Sequence, residues 1–205
     1  MDLRSNQTLI KITLFLIPII LIGVCYKAIQ YISPTGFYPA LPLDAMIPYI
    51  SYFVIPYILY FPYILLPFLL LWKRPKDYKQ LALTYILILI ISEVVYLTFQ
   101  TAVVRPDIQP VNIFDQVVLM IYGADDPLNA LPSLHTSLSI AAALFVWRFS
   151  KKLGIPAVIL TILIILSTLF IRQHVILDVV AGTLLAFAAY YAIRRRYASH
   201  PKTRP

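Results

Sequence analysis

Long apolar stretches alternate with short polar ones along almost the whole chain. Crossing ~30 Å of hydrocarbon takes a helix of about 20 apolar residues, and six stretches meet or approach that length. They cover residues 8–30, 46–72, 80–101, 133–149, 154–171 and 174–193. The second contains four prolines, so we expect its helix to be kinked or broken. The pattern predicts an all-α integral membrane protein built as a bundle of six transmembrane helices.

The single long connection, residues 102–132, joins the third and fourth apolar stretches. Within it, "VNIFDQVVLMIY" (111–122) repeats apolar residues at helical spacing, which predicts a short helix lying in the outer membrane interface. Residues 1–197 are expected to form a single membrane domain. The basic segment 198–205 is expected to be a disordered tail.

Composition supports a membrane protein and argues against a water-soluble one. The chain is 60% hydrophobic and 13% charged, with a mean hydropathy of +0.82. Its net charge of +8 could indicate nucleic-acid binding, but the cations form short clusters between the apolar stretches. That distribution is typical of contact with anionic lipid headgroups. We therefore expect membrane lipids as partners, no nucleic acid and no obligatory protein partner.

The distribution of Lys and Arg predicts the orientation of the bundle. With six spans, fourteen of these residues fall on the side that holds both termini and only three on the other. Basic residues favour the cytoplasmic side, so both termini are expected to be cytoplasmic. The three cations left on the outer side are Lys27, Arg105 and Arg172.

Helix lengths place several chemically reactive side chains at this outer side. His174 precedes "RRR" (194–196) by 20 residues, about 30 Å of helix, and Asp178 follows it by one turn on the same helical face. His135 lies 13 residues, roughly 20 Å, before Arg148 at the inner end of its span. Arg105 and Ser133 are expected at the same depth, so the stretches 131–137 and 172–178 should face each other across a phosphate.

These residue types suit phosphoryl transfer. A neutral imidazole can attack phosphorus when its other ring nitrogen is held by a carboxylate, which assigns His174 as nucleophile and Asp178 as its partner. A second histidine, with an unperturbed pKa of about 6.5, can act as acid and then base, which assigns His135. Arg105, Arg172 and the helix start at Ser133 can bind the phosphate oxygens.

Each residue alone also has a simpler explanation. His174 could contact lipid headgroups, Arg105 could be an interfacial anchor, and Ser133 could be a helix N-cap and nothing more. Asp178 could form a structural pair with Arg172. A zinc site is disfavoured because the two histidines and one aspartate have no further nearby ligand in the sequence. The joint arrangement on one side favours a catalytic site.

The motifs resemble the type 2 phosphatidic acid phosphatase superfamily over roughly residues 40–190. "RP" (105–106) matches the end of the family's first motif, which begins with a Lys six residues ahead of the Arg-Pro pair. "PSLH" (132–135) is similar to the usual Pro-Ser-Gly-His form of the second motif. "STLFIRQHVILD" (167–178) matches the third in Ser167, His174 and Asp178. Thr98 and Thr168 replace the Lys of the first motif and the Arg of the third, and Arg172 is a candidate substitute for the lost charge.

The resemblance implies a membrane phosphatase that removes phosphate from a lipid phosphate or diphosphate at the outer face, with no cofactor and no metal. With "PSLH" and "LDAMIPYI", the chain looks more like the branch of inositol phosphotransferases and phosphorylceramide synthases. A lipid phosphotransferase is therefore one alternative, and a non-enzymatic binder or transporter of anionic lipids is another. Glu93, the only glutamate, is predicted to face the bundle interior and support the site from behind the phosphate-binding residues.

Overall fold

The computed structural model describes residues 3–198, with side chains from residue 6 onward. All regular elements in this range are helical, apart from two isolated β-bridges. The α-helices are α1 (Leu3–Ile20), α2 (Tyr26–Ile32), α3 (Val54–Leu70), α4 (Pro75–Thr98), α5 (Ile113–Ala124), α6 (Leu134–Phe149), α7 (Lys151–Phe170) and α8 (Ile176–Ala198). A π-helical segment, Leu21–Cys25, joins α1 directly to α2, and two short 3-10 turns, Pro42–Met46 and Ser51–Phe53, precede α3.

Five helical stretches are long and apolar enough to cross a membrane, which is compatible with a multi-pass membrane protein. They are residues 6–32, 51–70, 75–98, 151–170 and 176–198. The stretch expected from residue 46 begins its helix only at Ser51, after Pro48, because the residue before a proline disfavours helical backbone. Beyond that point the helix continues without interruption through Pro62 and Pro67.

The fourth predicted span, α6, has only 16 residues, about 24 Å of helix, and is the one of the six that is too short to be counted among the five. It packs against α3, α4, α7 and α8 and forms the centre of the bundle. Its buried residues are mostly alanines and hydroxyl side chains, which let neighbouring helices approach closely. Because these four helices surround α6, a shorter helix can be accommodated inside the bundle. That the chain crosses the membrane six times stays a prediction.

Contacts between helix ends define two opposite ends of the bundle. At the basic end, Lys11 in the middle of α1 donates to the carbonyl of Trp72 after α3 (2.8 Å), and Arg148 at the end of α6 pairs with Asp77 at the start of α4 (3.1 Å). At the other end, Tyr96 in the last turn of α4 donates to the carbonyl of Pro132 just before α6 (2.6 Å). This second end carries the candidate site. Which side of a membrane each end faces stays a prediction.

The helix expected at 111–122 is present as α5, shifted by two residues. Its start is fixed by Asn112, whose side-chain oxygen accepts from the amides of Phe114 (2.8 Å) and Asp115 (3.1 Å). Its position in the membrane interface stays a prediction. At the C-terminal end of the chain, α8 extends to Ala198, so the first residue of the tail expected at 198–205 is helical. Residues 199–205 lie outside the described part of the chain.

Candidate active site

The first turns of α6 and α8 are in close backbone contact at the second end of the bundle. The amide of Ser133, the residue before α6, donates to the carbonyl of Asp178 in the first turn of α8 (3.1 Å). One turn along α8, a Cβ atom added to Gly182 would lie only 2.6 Å from the carbonyl oxygen of Ser133. Glycine at this position therefore allows the backbones of the two helices to meet, which brings the two candidate motifs together.

Two histidines and an aspartate form a continuous chain at this junction. Nδ1 of His174 lies 3.2 Å from Oδ2 of Asp178, and Nε2 of His174 lies 3.3 Å from Nδ1 of His135. His174 is 8% exposed and Asp178 is fully buried. An ionised carboxylate only accepts hydrogen bonds, so Asp178 favours the His174 tautomer with its proton on Nδ1. That tautomer leaves a lone pair on Nε2, on the side of the ring that faces His135.

The backbone around His174 is fixed by contacts from two other segments. The carbonyl of Thr168 accepts from the amides of both Gln173 (2.8 Å) and His174 (3.1 Å), which closes the turn after α7. Asp44, in the 3-10 turn Pro42–Met46, accepts from the amide of Ile176 through Oδ1 (2.8 Å) and so caps the start of α8. These bonds leave little freedom in the position of the His174 backbone.

Tyrosine side chains surround His135. The ring centroids of Tyr57 and Tyr60 on α3 lie 4.7 Å and 4.4 Å from that of His135. The Tyr60 hydroxyl donates to the carbonyl of Leu134 at 3.5 Å, while Tyr96 donates to that of Pro132 at 2.6 Å. The tyrosines therefore hold both the His135 ring and the backbone that leads to it.

Both histidines line a cavity of 340 Å³. Its wall is mostly aromatic and aliphatic and also includes polar side chains, among them Lys27 and Asp125, which form an ion pair of 2.9 Å. Lys27 is the sole Lys or Arg among the residues that line this cavity. From the sequence, Lys27 was predicted to be one of the three cations on the outer side, but it was not assigned to the site. The scarcity of Lys and Arg on that side was the feature of the sequence that could have pointed to it.

Arg105 lies beside the site, and its guanidinium is hydrogen-bonded to other residues of the protein. Its guanidinium donates to the carbonyls of Tyr122 (3.1 Å) and Asp125 (2.7 Å) and to Oε1 of Gln173 (2.7 Å), the neighbour of His174. Burial lowers the pKa of Arg105, an effect that the nearby Asp125 carboxylate opposes. Nε of Arg105 is buried and has no hydrogen-bond partner.

The structure does not bring Arg172 into the histidine cavity. Its guanidinium donates to the carbonyl oxygens of Asp44 (2.9 Å) and Ile47, and the residue lines a separate cavity. Its backbone is left-handed, with φ of 54°. Ser133 is fully buried and caps α6, with its hydroxyl oxygen 3.3 Å from the amide of Thr136. A phosphate contact for either residue stays a prediction.

Glu93 is buried on α4, with 8% of its surface exposed. Neither carboxyl oxygen has a hydrogen-bond partner, so no direct bond joins Glu93 to Arg105, Arg172 or a histidine. Tyr96, on the next turn of α4, donates to the carbonyl of Pro132 just before α6. A supporting role of Glu93 at the site stays a prediction.

Within the described residues, no group of three or more His, Cys, Asp and Glu side chains is arranged to hold a metal ion. His135, His174 and Asp178 form a linear chain in which Nδ1 of His174 is directed at Asp178 and Nε2 at His135. The geometry supplies a nucleophile, a partner that orients it and a second titratable ring, and it suits nucleophilic catalysis at phosphorus.

The model of the PAP2 superfamily, the type 2 phosphatidic acid phosphatases, matches residues 77–200, more than half of the chain. The chain belongs to this superfamily. The matched segment includes all three candidate motifs and begins later than the resemblance expected from residue 40. No curated protein and no solved structure matches the chain. PAP2 membership supports an enzyme that acts on phosphate esters, as a phosphatase or phosphotransferase.

The two positions that depart from the PAP2 motifs serve local structure here. Thr98, in place of the family lysine, ends α4, and its hydroxyl donates to the carbonyl of Val94 (2.7 Å). Thr168, in place of the family arginine, is fully buried, and its hydroxyl donates to the carbonyl of Ile165 (2.8 Å). Neither threonine side chain supplies a positive charge at these two positions.

Proposed function

We propose that this protein is an integral membrane phosphatase that hydrolyses a lipid phosphate or diphosphate through a phosphohistidine at His174. The observation that supports this most directly is the chain of contacts from Asp178 through His174 to His135 beside a cavity. Asp178 keeps the proton of His174 on Nδ1, so that Nε2 can attack. The lipid phosphate would reach the site at the extracytoplasmic end of the bundle.

In the first step, Nε2 of His174 attacks phosphorus and the bond from phosphorus to the lipid oxygen breaks. His135 donates a proton to the departing oxygen, so that the lipid alcohol leaves neutral. In the second step, His135 takes a proton from water while the water oxygen attacks phosphorus. The N–P bond then breaks and inorganic phosphate is released, which returns both imidazoles to their starting states.

The phosphate has to enter from the cavity side. The two imidazoles are in direct contact at 3.3 Å, rather than separated by the width of a phosphate as the sequence suggested. Binding therefore requires the His135 ring to turn away from His174 while staying against Tyr57 and Tyr60. The incoming group would then accept the hydrogen bond that His135 makes to His174.

The charge of the phosphate would be balanced mainly by Lys27. Arg105, which does not line the cavity, would contribute a second positive charge nearby. Lys27 lines the cavity and can exchange its bond to Asp125 for one to a phosphate oxygen. Arg105 positions Gln173 and offers a buried, unpartnered Nε. Arg172 would act through the backbone, holding the turn that carries His174 against the segment Asp44–Ile47. This arrangement meets the phosphate charge with side chains and does not call for a metal ion.

Incubation of the purified protein with a panel of lipid phosphates and diphosphates, with and without alcohol acceptors such as inositol, tests the proposal. Release of inorganic phosphate supports hydrolysis. Formation of a new phosphodiester lipid would identify a phosphotransferase that uses the same site. Binding without turnover would favour the anionic-lipid binder. Repeating the assay with a chelator tests independence from metal, and activity that returns only with added Mg²⁺ or Zn²⁺ would contradict it.

A further inference from the structure

A second cleft adjoins the histidine cavity and leads away from it between α1 and α3. This cleft has a volume of 220 Å³. It shares Ile22, in the π-helical segment, and Phe61, on α3, with the wall of the histidine cavity. The two spaces therefore lie next to each other along a path that passes these side chains. Together they fall in the range of about 300–1,000 Å³ that is typical of small-molecule sites.

The chemistry of the path changes at the shared residues. Beyond them the cleft is lined by apolar side chains, chiefly Phe15 and Ile19 on α1 and Ile64 and Leu65 on α3. The one hydroxyl in its wall, that of Tyr85, donates to the carbonyl of Ile64 (3.0 Å) and is therefore not free to bind a polar ligand. The cleft presents hydrocarbon and aromatic surface only, whereas the wall of the histidine cavity also contains charged and polar side chains.

We propose that the cleft binds the hydrocarbon chain of the lipid whose phosphate reacts at His174. This inference rests on the proposed phosphatase function and adds where the substrate's apolar part lies. The phosphate would occupy the histidine cavity beside Lys27, and the chain would pass Ile22 and Phe61 into the space between α1 and α3. An amphiphilic ligand matches this sequence of polar and apolar walls, and a small water-soluble phosphate would leave the cleft unused.

The packing of the first helix agrees with a site that admits a chain from the membrane. Only 6% of the most apolar window of residues 6–32 is buried inside the protein, far less than for the other four candidate spans. The cleft is therefore bounded on one side by a peripheral helix. The π-helical segment Leu21–Cys25 lies where the two spaces join, and such segments are frequent at functional sites.

Narrowing the cleft tests the inference. Ile19 and Leu65 are partly exposed, at 42% and 36%, so Ile19→Trp and Leu65→Trp should fill the cleft without forcing a large side chain into the core. Ile162 on α7 is 51% exposed and lines neither space, which makes Ile162→Trp the matched control. For each protein, kcat/KM is measured in detergent with hexadecyl phosphate and with butyl phosphate.

We expect the ratio of kcat/KM for hexadecyl over butyl phosphate to fall at least tenfold in both cleft variants and to stay within twofold of wild type in Ile162→Trp. An unchanged ratio in the cleft variants, or equal kcat/KM for both substrates in the wild type, would overturn the chain-binding site and leave the phosphatase intact. A wild type that hydrolyses neither substrate would overturn the proposed function and this inference with it.

A second measurement does not depend on the variants folding. A hexadecyl phosphate with a photoreactive diazirine near the end of its chain is irradiated with the wild-type protein, and the labelled peptides are identified. Labelling of residues 15–22 and 61–68 that unlabelled hexadecyl phosphate suppresses supports the site. Labelling spread over the lipid-facing surfaces of α7 and α8, without suppression, would overturn it and indicate bulk lipid.

Discussion

Nε2 of His174 lies 3.3 Å from Nδ1 of His135, and its other ring nitrogen lies 3.2 Å from the Asp178 carboxylate. One imidazole is thus held between an acceptor and a second titratable ring. In the proposed mechanism the arrangement differs from a Ser-His-Asp triad, because the central histidine is itself the nucleophile. It assigns different chemical tasks to the two histidines, and the tasks can be separated by experiment.

The two histidines should respond differently to the leaving group. His174→Ala is expected to abolish turnover of every substrate, because the bond-forming atom is removed. His135→Ala should cost about 10²–10⁴-fold with alkyl phosphates, the usual contribution of a general acid. The loss of phosphorylation rate should be much smaller with 4-nitrophenyl phosphate, whose leaving group needs little protonation. Release of 4-nitrophenol in a rapid-mixing experiment provides the measurement, and equal losses on both substrates in both variants would contradict these roles.

Asp178→Asn should lower kcat by up to about 10⁴-fold, as the equivalent change does in a serine protease triad. The amide can donate to Nδ1 of His174 and so favour the tautomer whose proton is on Nε2, where attack is blocked. Asp107→Asn, at an exposed carboxylate in the loop after α4, is the control and should behave like wild type. Activity in Asp178→Asn within a few-fold of wild type would show that the carboxylate has a structural role only.

Lys27→Met should raise KM or lower kcat/KM by roughly 10- to 100-fold, since a hydrogen bond to a charged group contributes about 1.5–3 kcal/mol. Methionine keeps much of the length and apolar character of the stem but removes the charge. Lys152→Met, an exposed cation at the start of α7, is the matched control. Steady-state kinetics on a lipid phosphate provide the comparison, and identical values for the two variants would remove Lys27 from the phosphate site.

Glu93→Gln tests whether the buried glutamate acts on the site. Glutamine preserves the shape of the side chain but cannot carry a charge. We expect turnover to fall roughly two- to tenfold, equivalent to about 0.4–1.4 kcal/mol, together with a changed pH profile, because the buried Glu93 lies one turn of α4 from Tyr96, which holds the start of α6. Turnover and pH dependence identical to wild type would make Glu93 a structural residue.

The helical class, most helix positions and the candidate motifs could be predicted from the sequence because they depend on local patterns. Apolar stretches of membrane length are visible in the chain itself, and the spacing of His174 and Asp178 by one helical turn needs no tertiary information. The length of α6 was predicted closely, at residues 133–149 against Leu134–Phe149. Its place at the centre of the bundle could not be predicted, because that depends on how the other helices pack around it.

The directions of the arginine side chains could not be predicted either. Arg172 stands two residues before His174, which suggested a phosphate ligand, but its left-handed backbone and its bonds to Asp44 and Ile47 direct the guanidinium elsewhere. Lys27 is more than 100 positions from His135 in the chain and enters the cavity only because α2 packs beside α4 and the loop after α5. Contacts of such long sequence separation are set by tertiary packing.

Trapping of the phosphoenzyme tests directly whether His174 becomes phosphorylated during turnover. Wild-type protein is mixed with a lipid phosphate labelled with ³²P at the phosphate, quenched with base within milliseconds, and the modified peptide is identified. We expect a label that is stable to base and labile to acid, located on Nε2 of His174 and absent from His174→Ala. Label on another residue, or hydrolysis in H₂¹⁸O by His174→Ala at the wild-type rate, would contradict it.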